Sequence, residues 1–308
     1  MTRAGSTVRR GAAGSSTYWL SVLRDVERRI VPYRLTGLVA VMNFEILRAF
    51  YDESGIHRGD VKFCALNGFI ARSDEWQQFD QTWRKTLQLA GEKAFHAKKF
   101  FRRRRLSPRR RECLRGLLKA ASDSNLLPRG AIVDIREFQA RSYLERCYLA
   151  GALVDADNTE NLERFADPYY LAFHHCLAEA ARIAKPGEKV QFVFAEQLTF
   201  CERAHVIFKE VKKRLSPEVR EKIGGCSFEK MEDVGPPFEI ADMLAHCWYS
   251  HMQYGTSNSP DREHALNSLM VEKDWIYRYG EKEFEMLLNQ RSPDERALLR
   301  GGAGPVID

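Results

Sequence analysis

The chain has 308 residues, 44% hydrophobic and 29% charged, which is enough apolar material for one large globular domain or two small ones. Its 48 Lys and Arg against 42 Asp and Glu leave a net charge of +6, a modest excess whose placement says more than its total. Seven scattered cysteines, with no C-x-x-C pair, argue against a disulfide framework or a zinc site; no apolar run approaches the roughly 20 residues of a membrane helix, and a reduced, cytoplasmic protein is the expectation.

Residues 1–16 are small, basic and without apolar period, and are expected to be disordered. Trp19, Leu20, Leu23, Val26 and Ile30 recur at helical spacing and predict a short helix within 17–41. Met42 precedes the first strand, so it reads as the natural start of the protein, and residues 1–41 as an extension without a role in the fold.

From there the pattern predicts a strand over 44–52, a loop, a strand over 61–71 and a helix over 73–90 that ends near Gly91. A basic segment leads into a helix over 108–121, a strand over 130–136, and helices over 139–152 and 168–184. After the turn KPGEK, the near-continuous apolar run VQFVFA (190–195) has the look of a strand covered on both faces. A helix over 197–214, a short strand near 226–231, a Pro-Pro break, a helix over about 238–250 and a last helix over about 272–289 complete the prediction. Strands alternating with helices after an initial hairpin give an α/β class with a mixed sheet. The domain expected over 42–252 carries a basic helical insertion, and 253–308 reads as a helical extension and tail.

Three acidic positions stand at the ends of apolar elements. The first strand finishes on Asp52 and Glu53; neighbours on a strand face opposite ways, so only one of them joins a site on a given face. A solvated turn explains the pair equally well. Glu196 follows VQFVFA, where ligands gather outside carboxyl strand ends in α/β sheets, although a first-turn glutamate favoured by the helix dipole is the plainer reading. In DVGPPFEIADMLAHCWY (233–249), Ile240, Met243, Leu244, Cys247 and Trp248 share an apolar face. Glu239, Asp242 and His246 fall together on another, as they also would on an ordinary surface helix.

The segment KKFFRRRRLSPRRRE (98–112) holds nine cations: Lys98, Lys99, Arg102, Arg103, Arg104, Arg105, Arg109, Arg110 and Arg111. Arginine forks suit phosphate oxygens. The interleaved Phe100 and Phe101 either stack on bases or pin the segment to the core. The plainer reading is a solvated loop and helix start. His96 is read as a phosphate partner or a structural histidine, and His246 as a group one turn after Asp242 that orients water or product. His174 and His175 face different ways and make no joint site. Trp248, Tyr249, Trp275 and Tyr277 read as core aromatics.

YDESG on the first strand, ALNGFIA on the second and the late FEIADMLA resemble the prokaryotic domain-of-unknown-function 3800 family, whose early D-E-S-G matches Asp52, Glu53, Ser54 and Gly55. Its late Q-x-A-D matches Glu239, Ala241 and Asp242, with Glu in place of Gln, and FHAKKF resembles its lysine segment at Lys98. The resemblance spans about 44–250. It implies a ribonuclease H-like mixed sheet flanked by helices, with helical insertions, and a nuclease-like site of Asp52, Glu196 and Asp242 holding Mg²⁺ or Mn²⁺, with Glu53 or Glu239 assisting. Hard cations of this kind take carboxylate oxygens and water, and two of them can activate water against a phosphodiester. Lys98 and Arg102 to Arg105 would then line a groove for nucleic acid. The other readings are a non-catalytic nucleic-acid-binding or partner-recognition protein on the same fold, and a metal phosphohydrolase acting on a small phosphate ester.

Overall fold

The computed structural model describes residues 45–55, 61–151, 166–197, 200–255, 259–270 and 276–301. In chain order these form β1 (Glu45–Ser54), β2 (Phe63–Arg72), α1 (Ser73–Ala90), α2 (Ala97–Phe100), α3 (Pro108–Ser122), β3 (Leu127–Asp134), α4 (Ile135–Gln139) and α5 (Tyr143–Leu149). There follow α6 (Pro168–Ile183), β4 (Glu188–Ala195), α7 (Cys201–Arg214), α8 (Pro217–Lys222), β5 (Ile223–Glu229), α9 (Met231–Val234) and α10 (Pro236–Tyr254). The last are α11 (Pro260–Leu269), β6 (Ile276–Tyr279), α12 (Glu281–Asn289) and α13 (Pro293–Gly301).

One six-stranded mixed sheet organises them, in the order β5-β4-β1-β2-β3-β6. β1 and β2 form an antiparallel hairpin in which Asp52 faces Asn67, and β3 continues the meander. β1 pairs parallel with β4, β4 with β5, and β3 with β6. The alternation of side chains sorts the sheet's two faces. Leu47, Ala49 and Tyr51 of β1, with Cys64, Leu66 and Ile70 of β2 and Phe192 and Phe194 of β4, pack against α5, α6, α7 and α12. Phe50, Ala65, Phe69, Ile132, Val193 and Ala195 face the other way, against α1, α3, α10 and α11.

Each helical layer follows from its sequence. α6 is apolar nearly all round, and Tyr169 to Phe173 are fully buried, as expected of a helix set inside a core. α1 is amphipathic: Trp76, Phe79, Trp83 and Leu87 are its buried stripe. Gly91 ends it in the left-handed conformation at φ 71°, which a residue with a Cβ rarely adopts. Trp76 stands edge-on to Phe50 at 4.9 Å and donates its indole N–H to the Arg48 carbonyl at 2.9 Å, fastening α1 to β1. Pro236 and Pro237 open α10, whose first ten residues are all buried against β1 and β2.

Several expectations change. The helix expected over 139–152 is the shorter α5, which Ser142 opens with a capping box to Glu145, and the strand expected over 130–136 is β3 ending at Asp134, with α4 taking Ile135 onward. The helix expected over 272–289 begins only at Glu281; Ile276–Tyr279 form β6 instead. A four-residue apolar run carries too few positions to separate strand from helix, and pairing with the edge of β3 decides it. α11 was not anticipated. With β6 and α12 it makes the chain after 253 part of the same sheet and cores: Ala265, Leu266 and Leu269 pack on one side, and Phe284, Leu287 and Leu288 on the other. The helix predicted within 17–41, the start at Met42 and Trp275 lie outside the described residues. No described helix is long and apolar enough to cross a membrane. All seven cysteines are free thiols.

Candidate active site

β1 lies at the centre of the sheet, and its last residues carry the acids. Asp52 is 7% exposed and belongs to the face covered by α10. Glu53 belongs to the opposite face, where its carboxylate accepts a hydrogen bond from the Gln197 side-chain amide. The Glu53 backbone N–H turns back to Asp52 Oδ1 at 2.9 Å. Gly55 closes the D-E-S-G segment at φ +92°, where an added Cβ would collide with the Phe63 carbonyl and press on the Tyr249 ring. The motif's glycine is therefore explained by the turn, independently of any chemistry.

Asp242 reaches Asp52 from α10. Its Oδ2 accepts the Ala97 backbone N–H at 2.8 Å and lies 2.9 Å from His96 Nδ1. Asp52 and Glu53 both feel the charge of Asp242. Burial first, then the charges of Glu53 and Asp242, hold the Asp52 carboxyl well above the usual carboxylate range. Burial likewise pushes Glu53 up to about 7, with hydrogen bonds from its own backbone, Asp52 and Gln197 pulling it part of the way back and Asp242 adding to the rise. His96 is raised by its bond to Asp242 against the opposing effects of burial and of Lys98 and Lys99. His246 is lowered to about 4 by burial; its ring lies parallel to Phe101 at 6.1 Å, and its Nε2 is buried without a hydrogen-bond partner.

Asn67 adds a feature with no local signal in the chain. It sits across from Asp52 on β2, on the same face, and is fully buried, yet neither amide atom has a hydrogen-bond partner. Buried amides of this kind are rare and ask for an explanation. Its side chain lies over Gly130, where a Cβ would collide with it.

The other expected members lie apart. Phe194 shares the face of Tyr51, on which it stacks at 5.2 Å. The alternation then carries Glu196 to the face of Glu53, away from Asp52. Its backbone N–H still holds the ladder to β5 through the Glu229 carbonyl at 2.8 Å. Glu239 is buried, but its Oε2 takes the Trp83 indole N–H at 2.6 Å and the Phe95 N–H at 3.1 Å. The charges felt there are those of Arg84 and Asp80, after burial and these two bonds. Glu239 thus ties α10 to α1 and to the segment before α2. Among the described residues, no group of three or more His, Cys, Asp or Glu side chains is arranged to hold a metal ion. The donor chemistry of Asp52 and Asp242 suits a hard cation; Asp242 already has His96 beside its Oδ2, while burial and its acidic neighbours hold Asp52 above the usual carboxylate range. The pocket offers these two carboxylates rather than the expected set of three to five.

The basic segment is built into the fold at its backbone. Phe100 and Phe101 are buried in the aromatic cluster with Phe95, so they anchor the segment and do not present rings to bases. Asp261 of α11 takes the Leu106 N–H at 2.7 Å and pairs with Arg111 at 3.1 Å, and Arg262 donates to the Phe101 carbonyl at 2.6 Å. With the backbone held, Lys98 and Arg102 to Arg105 are left exposed. Compared with models of protein families and with curated proteins, the chain matches none.

Proposed function

We propose that this protein is a divalent-metal-dependent nuclease of ribonuclease H-like architecture, hydrolysing phosphodiester bonds in nucleic acid at the pocket of Asp52 and Asp242. The observation that carries the reading is the meeting of two carboxylates, 190 positions apart in the chain, in a buried site where no cation among the described residues acts on Asp52. Isolated buried acids are costly, and they persist in folded proteins mostly where a proton, a base or a metal is to be held. The pocket also lies at the carboxyl end of the central strand, where α/β sheets gather their ligands.

Asp52 and Asp242 would hold Mg²⁺ or Mn²⁺, which would supply positive charge for the developing oxyanion and acidify a bound water. Asp242 would contribute through Oδ1, since Oδ2 is engaged by His96 and Ala97. Glu53 stands behind Asp52 and fixes it through its backbone N–H. His96 presents its other nitrogen toward solvent on a ring that is 43% exposed, in reach of a phosphate at the rim. Lys98 and Arg102 to Arg105 continue that rim with positive charge and supply electrostatic attraction for the backbone of DNA or RNA.

Labelled DNA and RNA oligonucleotides incubated with Mn²⁺ test the reading. Cleavage by the wild type, abolished by chelator and reduced at least 100-fold in Asp52→Asn and Asp242→Asn variants that fold normally, is the expected result. Equal cutting by wild type and both variants refutes it. The second reading, nucleic-acid binding without catalysis, draws on the two-carboxylate pocket and the doubly engaged Oδ2 of Asp242. It predicts salt-sensitive binding that is indifferent to metal and chelator, with no cleavage.

A further inference from the structure

Beside the acid pocket lies a cleft of about 430 Å³ that none of the acids enters. Lys99, Arg102, Arg103, Arg105, Ser107 and Arg110 line it. Among the described residues, Arg102, Arg103 and Arg105 form no ion pair, while Arg110 is held by the Lys99 and Phe100 carbonyls at 3.4 and 3.3 Å and by Glu92 at 3.6 Å. Lys99, Arg102, Arg103 and Arg105 thus stand together with no ion pair of their own among the described residues; such cations repel one another, and an anion relieves that repulsion.

One short helix joins the cleft to the acid pocket. The first residue of α2, Ala97, donates its N–H to Asp242; its last two, Lys99 and Phe100, line the cleft and accept from Arg110. From Ala97 to Phe100 the helix rises only about 4.5 Å, so one helical turn separates the backbone held by Asp242 from the backbone that lines the cleft. Among the described residues lining the cleft, the one aromatic ring, Phe100, is buried and is not offered to a base.

We infer that the cleft anchors the phosphate backbone of a nucleic-acid strand whose neighbouring phosphodiester lies at Asp52 and Asp242, so that the substrate is a polymer bound without regard to base sequence and not a mononucleotide or small phosphate ester. The inference rests on the proposed function only for what happens at the acid pocket; the anchoring is a property of the cleft.

Binding is therefore measured in chelator, by fluorescence anisotropy of labelled dinucleotide and 12-nucleotide strands over a salt series, with the full chain and an Arg102→Ala, Arg103→Ala, Arg105→Ala triple variant of unchanged circular dichroism and melting temperature. The 12-mer is expected to bind the wild type at least tenfold more tightly than the dinucleotide, independently of its sequence. The triple variant is expected to lose about tenfold in 12-mer affinity and to lower the salt slope by about 2, as three lost phosphate contacts require. The dinucleotide, with one phosphate to offer the cleft, should bind the wild type weakly and the triple variant more weakly still. Equal affinities for the two lengths, or a triple variant with the wild-type affinity and salt slope, overturn the inference. Displacement of the 12-mer by inorganic polyphosphate as readily as by unlabelled strand overturns the assignment to nucleic acid. Binding as expected with no cleavage in Mn²⁺ leaves the anchor standing and refutes only the nuclease.

Discussion

Replacing Asp52 by Asn should make the protein more stable, by an amount that grows with pH. Asn keeps the shape of the carboxyl and an oxygen for the Glu53 N–H, which Asp52 accepts at 2.9 Å. It removes a group that the folded protein holds protonated well above the range in which the unfolded chain releases the proton. Between those two limits the native state binds more protons than the unfolded state, so wild-type stability falls as pH rises, beginning near the ordinary carboxylate range. Glu53 moves the same way, from 4.5 to about 7, which corresponds to roughly 3 kcal/mol if taken whole. Glu53 is only half-buried, so about 2 kcal/mol of this at pH 8 is the expected gain for Glu53→Gln, and Asp52→Asn should gain over wild type in the same direction, with a higher melting temperature. At pH 4 the two proteins should differ by less than about 0.5 kcal/mol. Urea unfolding of both proteins from pH 4 to pH 8 measures this directly. A variant less stable than wild type at pH 8, or a difference that does not change with pH, would mean that Asp52 is not a buried, charge-burdened acid, and the argument for a cation-binding role would lose its physical basis.

The remaining predictions concern the scaffold around the site. Glu239→Ala strands the Trp83 indole and the Phe95 N–H in the core and should cost about 2–4 kcal/mol by chemical denaturation. Glu239→Gln keeps an acceptor and should cost about 1 kcal/mol or less, without changing cleavage if Glu239 is a structural tie. Asp261→Ala removes the partner of the Leu106 N–H and of Arg111; it should destabilise by about 2 kcal/mol and weaken binding of the 12-mer severalfold through looser placement of the arginines.

Much of the frame can be read from local pattern. The 3.6-residue stripe of Trp76, Phe79, Trp83 and Leu87 and the glycine at 91 locate α1 at its observed ends. The apolar run 190–195 is β4 extended by two residues, and the double proline opens α10. Period and capping are properties of neighbours in the chain, so sequence alone determines them. The same holds for the density of cations at 98–111 and for the stop of β1 on two acids.

Tertiary structure alone decided which of those groups meet. Whether Glu196 shares a face with Asp52 depends on the register of β4 against β1, and one step of that register sends a side chain to the opposite face. Glu239 and Asp242 stand three residues apart on one helix, yet the first is taken by Trp83 and Phe95 and the second by His96 and Ala97, because different elements pack beside each turn of α10. The buried Asn67 has no local signature, since its unmet amide exists only when β1, β2, β3 and α10 enclose it. Nor does Ile276–Tyr279, whose strand conformation is supplied by the free edge of β3. Chain pattern sets the elements and their charge; the pairing of strands and the helix laid across them set the company each charge keeps.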